Sequence, residues 1–224
     1  MRLFVLCEGE TEYLFVKNIL YNYLLNLDIY AIPKIIHTKK TTNKVYKGGV
    51  SNYSKIRKDL YLLCKEQENS GIVTTMFDYY KLPSDSPGFK DAFGSVYERV
   101  YHIESAIEAD LGNLRNLIVN IILHEFEGLL FSDVNAFHNV AKGDENAIAE
   151  LSRIKNKFPS PEDINNSEAT APSKRIKKVL PNFTKTLNGI EVAKSIGVVK
   201  IAEQCQHFKQ WLAKIEKLAN GDTL

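Results

Sequence analysis

Leu3-Phe4-Val5-Leu6-Cys7-Glu8-Gly9-Glu10-Thr11-Glu12 decides the fold class. Five successive apolar residues ending at an acid and a glycine form the pattern of a strand buried on both faces, as in a parallel sheet. Gly9 lets the backbone turn sharply. Leu14, Phe15, Ile19, Tyr23 and Leu27 then recur at helical spacing, with Thr11 as a cap, so a helix is expected from Thr11 to Leu27. Strand, tight turn and helix together are the opening unit of an α/β domain.

The pattern repeats downstream. A second strand is expected over Ile29–Ile36, a helix through Ile56, Leu60 and Leu63, and a strand over Ile72–Phe77 that ends at Asp78. Leu82 to Gly88 reads as loop from its Pro and Gly content. Val96, Val100, Ile103, Ile107 and Leu111 mark another helix, and Leu117–Leu123 reads as one more strand, ending at His124-Glu125-Phe126-Glu127. Beyond Leu129 the chain turns helical around a Pro-, Asn- and Ser-rich loop from Phe158 to Pro172. One last helix is expected over Val199–Leu218, with Phe208 and Trp211 facing inward as core. The expected architecture is an α/β domain over residues 1–135, its mostly parallel, Rossmann-like sheet flanked by helices, with a helical extension over 136–224 packed on it.

Composition narrows the function classes. Of 224 residues 44% are apolar and 25% charged, as in an ordinary globular protein, and no apolar run is long enough for a membrane span. The apolar start is too short for a signal peptide. Three cysteines, Cys7, Cys64 and Cys205, scattered singly, give neither a disulfide scaffold nor a zinc spacing, so buried inert thiols and a cytoplasmic location are expected. The net charge of +2 says little, but its distribution says more. Between Lys34 and Lys58 there are eight Lys or Arg residues and no acid. Lys39, Lys40, Lys44, Lys47, Lys55, Arg57 and Lys58, interleaved with Tyr46 and Tyr53, suit a nucleic-acid surface on a loop that Gly48-Gly49 makes pliable; a solvated lysine-rich loop is the plain alternative. No Gly-x-Ser-x-Gly elbow, phosphate-loop Gly-Lys-Ser/Thr or Gly-x-Gly-x-x-Gly occurs, so the chain is not expected to hydrolyse ATP by itself.

Three strands are thus expected to end at acids: Glu8, Asp78 and Glu125. In open α/β sheets ligands bind beyond the carboxyl ends of the strands. With Glu12 and Glu127 added, these are the hard oxygen donors that Mg²⁺ or Mn²⁺ prefer. Like-charge repulsion opposes such a cluster unless a cation is present. Each acid alone also fits a solvated helix start or strand end; their coincidence favours a shared site. His124 is a candidate general base or simply a hydrogen-bonded residue at a strand end. Lys174 and Arg175, at the start of a helix after Pro172, either reach a phosphate near the acids or lie on a helix surface.

Glu8-Gly9-x-Thr11-Glu12 after a strand looks like the opening motif of TOPRIM (topoisomerase–primase) domains, particularly those of OLD-type nucleases. Four ordered segments resemble the bacterial domain-of-unknown-function family 4276: Thr74-Thr75-Met76-Phe77-Asp78-Tyr79-Tyr80-x-Leu82-Pro83, Leu123-His124-Glu125-Phe126-Glu127-x-Leu129-Leu130-Phe131-Ser132-Asp133, Pro161-Glu162-Asp163-Ile164-Asn165 and Thr170-Ala171-Pro172-Ser173-Lys174-Arg175-Ile176. The resemblance spans nearly the whole chain and implies a TOPRIM-like fold and a neighbouring SMC-like or AAA-type ATPase, in a phage-defence setting. It implies that Glu8 is a metal ligand and general acid/base, Glu12 a second acid, and Asp78 the first aspartate of an Asp-x-Asp pair. Tyr80 stands where the second aspartate belongs, and Glu125 or Glu127 is expected to fill that place. The expectation is a Mg²⁺- or Mn²⁺-dependent nuclease or phosphotransferase acting on DNA or RNA. Two rivals stand beside it: a non-cleaving subunit that docks on the ATPase, and a small-nucleotide binder. A homodimer is left open.

Overall fold

A computed structural model describes residues 1–36, 52–165 and 170–219. Strand β1 (Arg2–Cys7) leads through the Glu8–Gly9 turn into α1 (Glu10–Phe15), a π-type turn (Val16–Leu20) and α2 (Tyr21–Leu25). Strand β2 (Tyr30–Ile35), helix α3 (Tyr53–Glu66), strand β3 (Ile72–Asp78) and helix α4 (Val96–Asp110) follow. Two short strands, β4 (Leu117–Ile118) and β5 (Ile121–Ile122), complete a sheet of order β2-β1-β3-β4, with β5 also paired to β3 and every pairing parallel. The protein is therefore α/β, with a parallel sheet flanked by helices.

Alternation along the strands builds two apolar layers. Leu3, Val5 and Cys7 of β1 join Met76, Ile118 and Ile122 in one cluster, which α1, α2 and the helices of the second half cover through Phe15, Leu24, Phe208 and Ile215. Phe4 and Leu6 point the other way and join Val73, Phe77 and Ile121 under Ile56 and Leu60 of α3 and Val100, Ile103 and Ile107 of α4. All three cysteines are buried as free thiols. No helix of the described residues is long and apolar enough to cross a membrane.

Three expectations are corrected. The first helix is interrupted by the π-type turn at Val16–Leu20 and stops at Leu25. The run Leu117–Leu123 is not one strand. At its centre the Thr75 hydroxyl donates to the Asn120 carbonyl at 2.7 Å and accepts from its amide at 2.8 Å, replacing the ladder there. The outward amides of Val119 and Ile121 donate to Glu108 Oε1 and Glu104 Oε1, both at 2.8 Å, so α4 covers a free sheet edge. Thr75→Val should lower the unfolding free energy in urea by about 1–3 kcal/mol, because it orphans buried polar groups of Asn120; no change would mean that Asn120 finds another partner.

The last helix also divides, into α9 (Val198–Gln204) and α10 (Gln206–Ala219), at the extended residue Cys205. The cause is Glu162, on a 3₁₀ turn at Pro161–Asp163. Its carboxylate accepts from the amides of His207 and Phe208, each at 3.0 Å, and so caps α10 from another part of the chain. Trp211 on α10 donates through Nε1 to Thr74 Oγ1 at 2.9 Å, tying the helix to β3. Between the sheet and α9 lie α5 (His138–Ala141), α6 (Glu145–Lys155), α7 (Pro172–Val179) and α8 (Ile190–Ile196).

Candidate functional site

Register brings the acids together. Cys7 pairs with Met76, so Glu8 leaves β1 beside the end of β3, and Asp78 pairs with Ile122, just before His124 and Glu125. The Asp78 amide lies 3.4 Å from Glu8 Oε2. Asp78 Oδ1 accepts from the amide of Phe126 at 2.9 Å, which fixes the Glu125–Glu127 turn against β3. Glu12 folds back over the turn, its Oε2 accepting from Gly9 N at 3.0 Å. Glu12, Asp78 and Glu127 are buried.

Two lysines, neither of them a sequence candidate, stand among these acids. Lys81 Nζ is 2.8 Å from Asp78 Oδ2 and 3.4 Å from Glu8 Oε1. Lys185 Nζ is 2.8 Å from Glu127 Oε2 and 3.9 Å from Glu125 Oε1. The position of Lys81 follows from a 3₁₀ turn at Tyr79–Lys81, where residues three apart align. Lys185 opens a π-type turn, Lys185–Gly189, and reaches Glu127 across 58 residues. Burial pulls both ammonium pKa values down, but the carboxylates outweigh it and leave both raised: chiefly Asp78 and Glu8 for Lys81, Glu127 and Glu125 for Lys185. Both stay charged.

The acids respond in the opposite sense. Burial, then the charge of Asp78, pushes Glu8 up to about 7 against the pull of Lys81. The same two causes push Glu12 up to about 8. Glu127 rises to about 7, from burial opposed by Lys185. Five carboxylates thus face two ammonium groups. Glu127 Oε1 is buried and has no hydrogen-bond partner, an arrangement that costs stability unless something else binds it. Among the described residues no three His, Cys, Asp or Glu side chains stand ready to hold a metal ion as they are. The recess between Glu8 and Lys81, walled by Ile36, Ile56, Phe77, Leu82 and Pro83, has no room for a water molecule.

The other sequence candidates fall in three places. His124 is buried and has a left-handed backbone, φ 64°, strained for a residue with a Cβ. Burial, then the charge of Arg99, lowers its pKa to about 4. Its Nδ1 lies 3.3 Å from Asn165 Nδ2, the contact of a hydrogen-bonded strand-end residue. Lys174 is exposed on α7. Arg175 turns toward Thr170 O at 2.6 Å and the Phe158 ring at 5.2 Å, where it lines a groove of about 510 Å³ with Lys157, Lys178 and Glu150. The residue of α7 that touches the acids is Ser173, whose amide donates to Glu125 Oε2 at 3.1 Å. Of the basic segment, Lys39, Lys40, Lys44 and Lys47 lie outside the described residues, as do Tyr46 and Gly48-Gly49. Lys55, Arg57 and Lys58 are on α3, where Arg57 pairs with Asp110 at 2.8 Å.

A family model described as Domain of unknown function (DUF4276) matches residues 7–216. No curated protein and no solved structure matches the chain.

Proposed function

Because the chain belongs to the family described as Domain of unknown function (DUF4276), a description that names no activity, we propose a function from the site: a divalent-cation-dependent hydrolase of nucleic-acid phosphodiesters. One observation carries this reading. Glu127 Oε1 is a buried carboxylate oxygen without a partner, in a cleft where acids outnumber the lysines beside them. Hard oxygen donors at the carboxyl ends of parallel strands suit Mg²⁺ or Mn²⁺. Glu8, Glu12, Asp78 and Glu127 would hold the cation, with Glu125 beside them. When bound, such a cation polarises a phosphoryl oxygen and makes water more acidic. Lys81 and Lys185 offset the acids' charge and hold their side chains in place, and a cation bound there would have to displace them. The order of parallel strands and the acids at their ends suit a TOPRIM-like version of the α/β fold, in which Glu127 stands in for the aspartate that Tyr80 replaces. The setting that goes with this reading is cytoplasmic, beside an SMC-like or AAA-type ATPase.

Purified protein incubated with Mg²⁺ or Mn²⁺ should cut at least one of plasmid, single-stranded DNA and tRNA, alone or with the neighbouring ATPase, and lose that activity in Glu8→Gln. Calorimetry should show Mn²⁺ binding to the wild type and none to the Glu125→Gln, Glu127→Gln double variant. A second reading has its own support in the lysines that already pair with the acids and in the missing second aspartate: a non-cleaving subunit that docks on the ATPase. Failure to cut under every condition, with no Mn²⁺ bound, would leave that reading standing.

A further inference from the structure

Next to the carboxylates lies a group of side chains for which hydrolysis alone gives no task. Tyr79 and Tyr80 directly follow Asp78, and their rings stack with centroids 6.4 Å apart and planes at 25°. Phe89 extends the row on one side, 6.0 Å from Tyr79, and His124 extends it on the other, 5.4 Å from Tyr80. Tyr79, Tyr80 and Phe89 are all partly exposed. The guanidinium of Arg99, from the first turn of α4, lies 5.9 Å over the Tyr79 ring. Its Nε is buried without a hydrogen-bond partner, and among the described residues no carboxylate pairs with it. Arg99 calls for an explanation, because a buried guanidinium N–H without an acceptor is unfavourable. Where His124 Nδ1 accepts from Asn165, Nε2–H remains a donor beside the same row.

Partly exposed aromatic rings, a guanidinium that can fork onto two oxygens, and an imidazole at the end of the row together suit a flat base with an attached phosphate. We infer that Tyr79, Tyr80, His124 and Arg99 form a nucleotide shelf that takes one unpaired base on the aromatic row and its phosphate on Arg99, so that the strand presented to the acids is single. The inference rests on the hydrolase reading for its site, since Asp78 and Glu125 are the chain neighbours of Tyr79 and His124. A duplex keeps its bases stacked within the helix and offers this row none, whereas a single strand presents a π-face at every nucleotide.

The test is fluorescence anisotropy in EDTA with a short 5′-phosphorylated oligothymidine and a duplex of equal length. The single strand should bind about tenfold more tightly than the duplex, and Arg99→Gln and Tyr80→Leu should each weaken it about tenfold. Arg99→Gln should also flatten the salt dependence by about one counterion, which Arg99→Lys restores without restoring full affinity. If Arg99→Gln fails to melt cooperatively, Arg99→Lys and Tyr80→Leu carry the test. Equal affinity for both nucleic acids, or variants that bind as wild type does, overturns the shelf. Because no cation is present, that failure says nothing of hydrolysis; Mn²⁺ calorimetry on the wild type judges hydrolysis separately.

Discussion

Glu12→Gln should melt at a higher temperature than the wild type above pH 8 in EDTA, and should bind Mn²⁺ about 100-fold more weakly. The two halves of this result have one cause. Glu12 is buried, and burial with the charge of Asp78 raises its carboxyl from 4.5 to about 8. Between those values the folded protein keeps a proton that the unfolded chain has lost, so the stability that goes with it is complete below about 4.5 and is lost as pH rises through about 8. A shift of one pKa unit corresponds to about 1.4 kcal/mol. Shared among several neighbouring charges, the cost of an ionised Glu12 is on the order of 2 kcal/mol. Gln cannot ionise, yet its side-chain carbonyl still accepts from Gly9 N, so the helix start is kept while the repulsion goes. The same change removes a charged oxygen donor. Wild-type protein should accordingly gain more thermal stability from Mn²⁺ above pH 8 than at pH 6, and should release protons as it binds. Thermal melts at both pH values and calorimetry in two buffers of different ionisation enthalpy check this. A Gln variant less stable than wild type at both pH values would make Glu12 an ordinary capping residue.

What the sequence made legible was local. The apolar run into Glu8-Gly9, the end of a strand at Asp78 and the acids after Leu123 could be read because hydrophobic period and turn chemistry act over a few residues. The family resemblance then tied them into one order. What could not be read depends on contacts between distant segments. Lys185 has no local mark, since its role comes from Glu127, 58 residues away. Arg57 looks like a nucleic-acid contact in a stretch without acids, but Asp110, 53 residues away, pairs with it. Leu117–Leu123 is apolar enough for a long strand, yet the Thr75 hydroxyl on the neighbouring strand breaks it at Asn120. His124 reads from sequence either as a titrating base or as a hydrogen-bonded strand-end residue; the burial and the Arg99 charge that lower its pKa come from distant segments.

Pro161-Glu162-Asp163-Ile164-Asn165 is one of the four segments that carry the family resemblance, and it is the one the acid cleft uses least. Its task is a cap. Glu162 is buried, and besides the amides of His207 and Phe208 it accepts from the Tyr97 hydroxyl at 3.3 Å, joining α10, α4 and its own turn. His207 in turn places Nε2 3.0 Å from Glu104 Oε1, the same oxygen that receives the amide of Ile121 in β5. Two buried amides lose their acceptor in Glu162→Ala, at about 1–3 kcal/mol each, so that variant should lose about 3–5 kcal/mol of unfolding free energy in urea. Glu162→Gln keeps one acceptor oxygen and should fall between the two. The loss should reach the site as well, because the turn ends at Asn165, which meets His124 at the edge of the acids. Mn²⁺ affinity should therefore drop in Glu162→Ala but hold in Glu162→Gln. Equal stability of Glu162→Ala and wild type would show that α10 does not need this carboxylate.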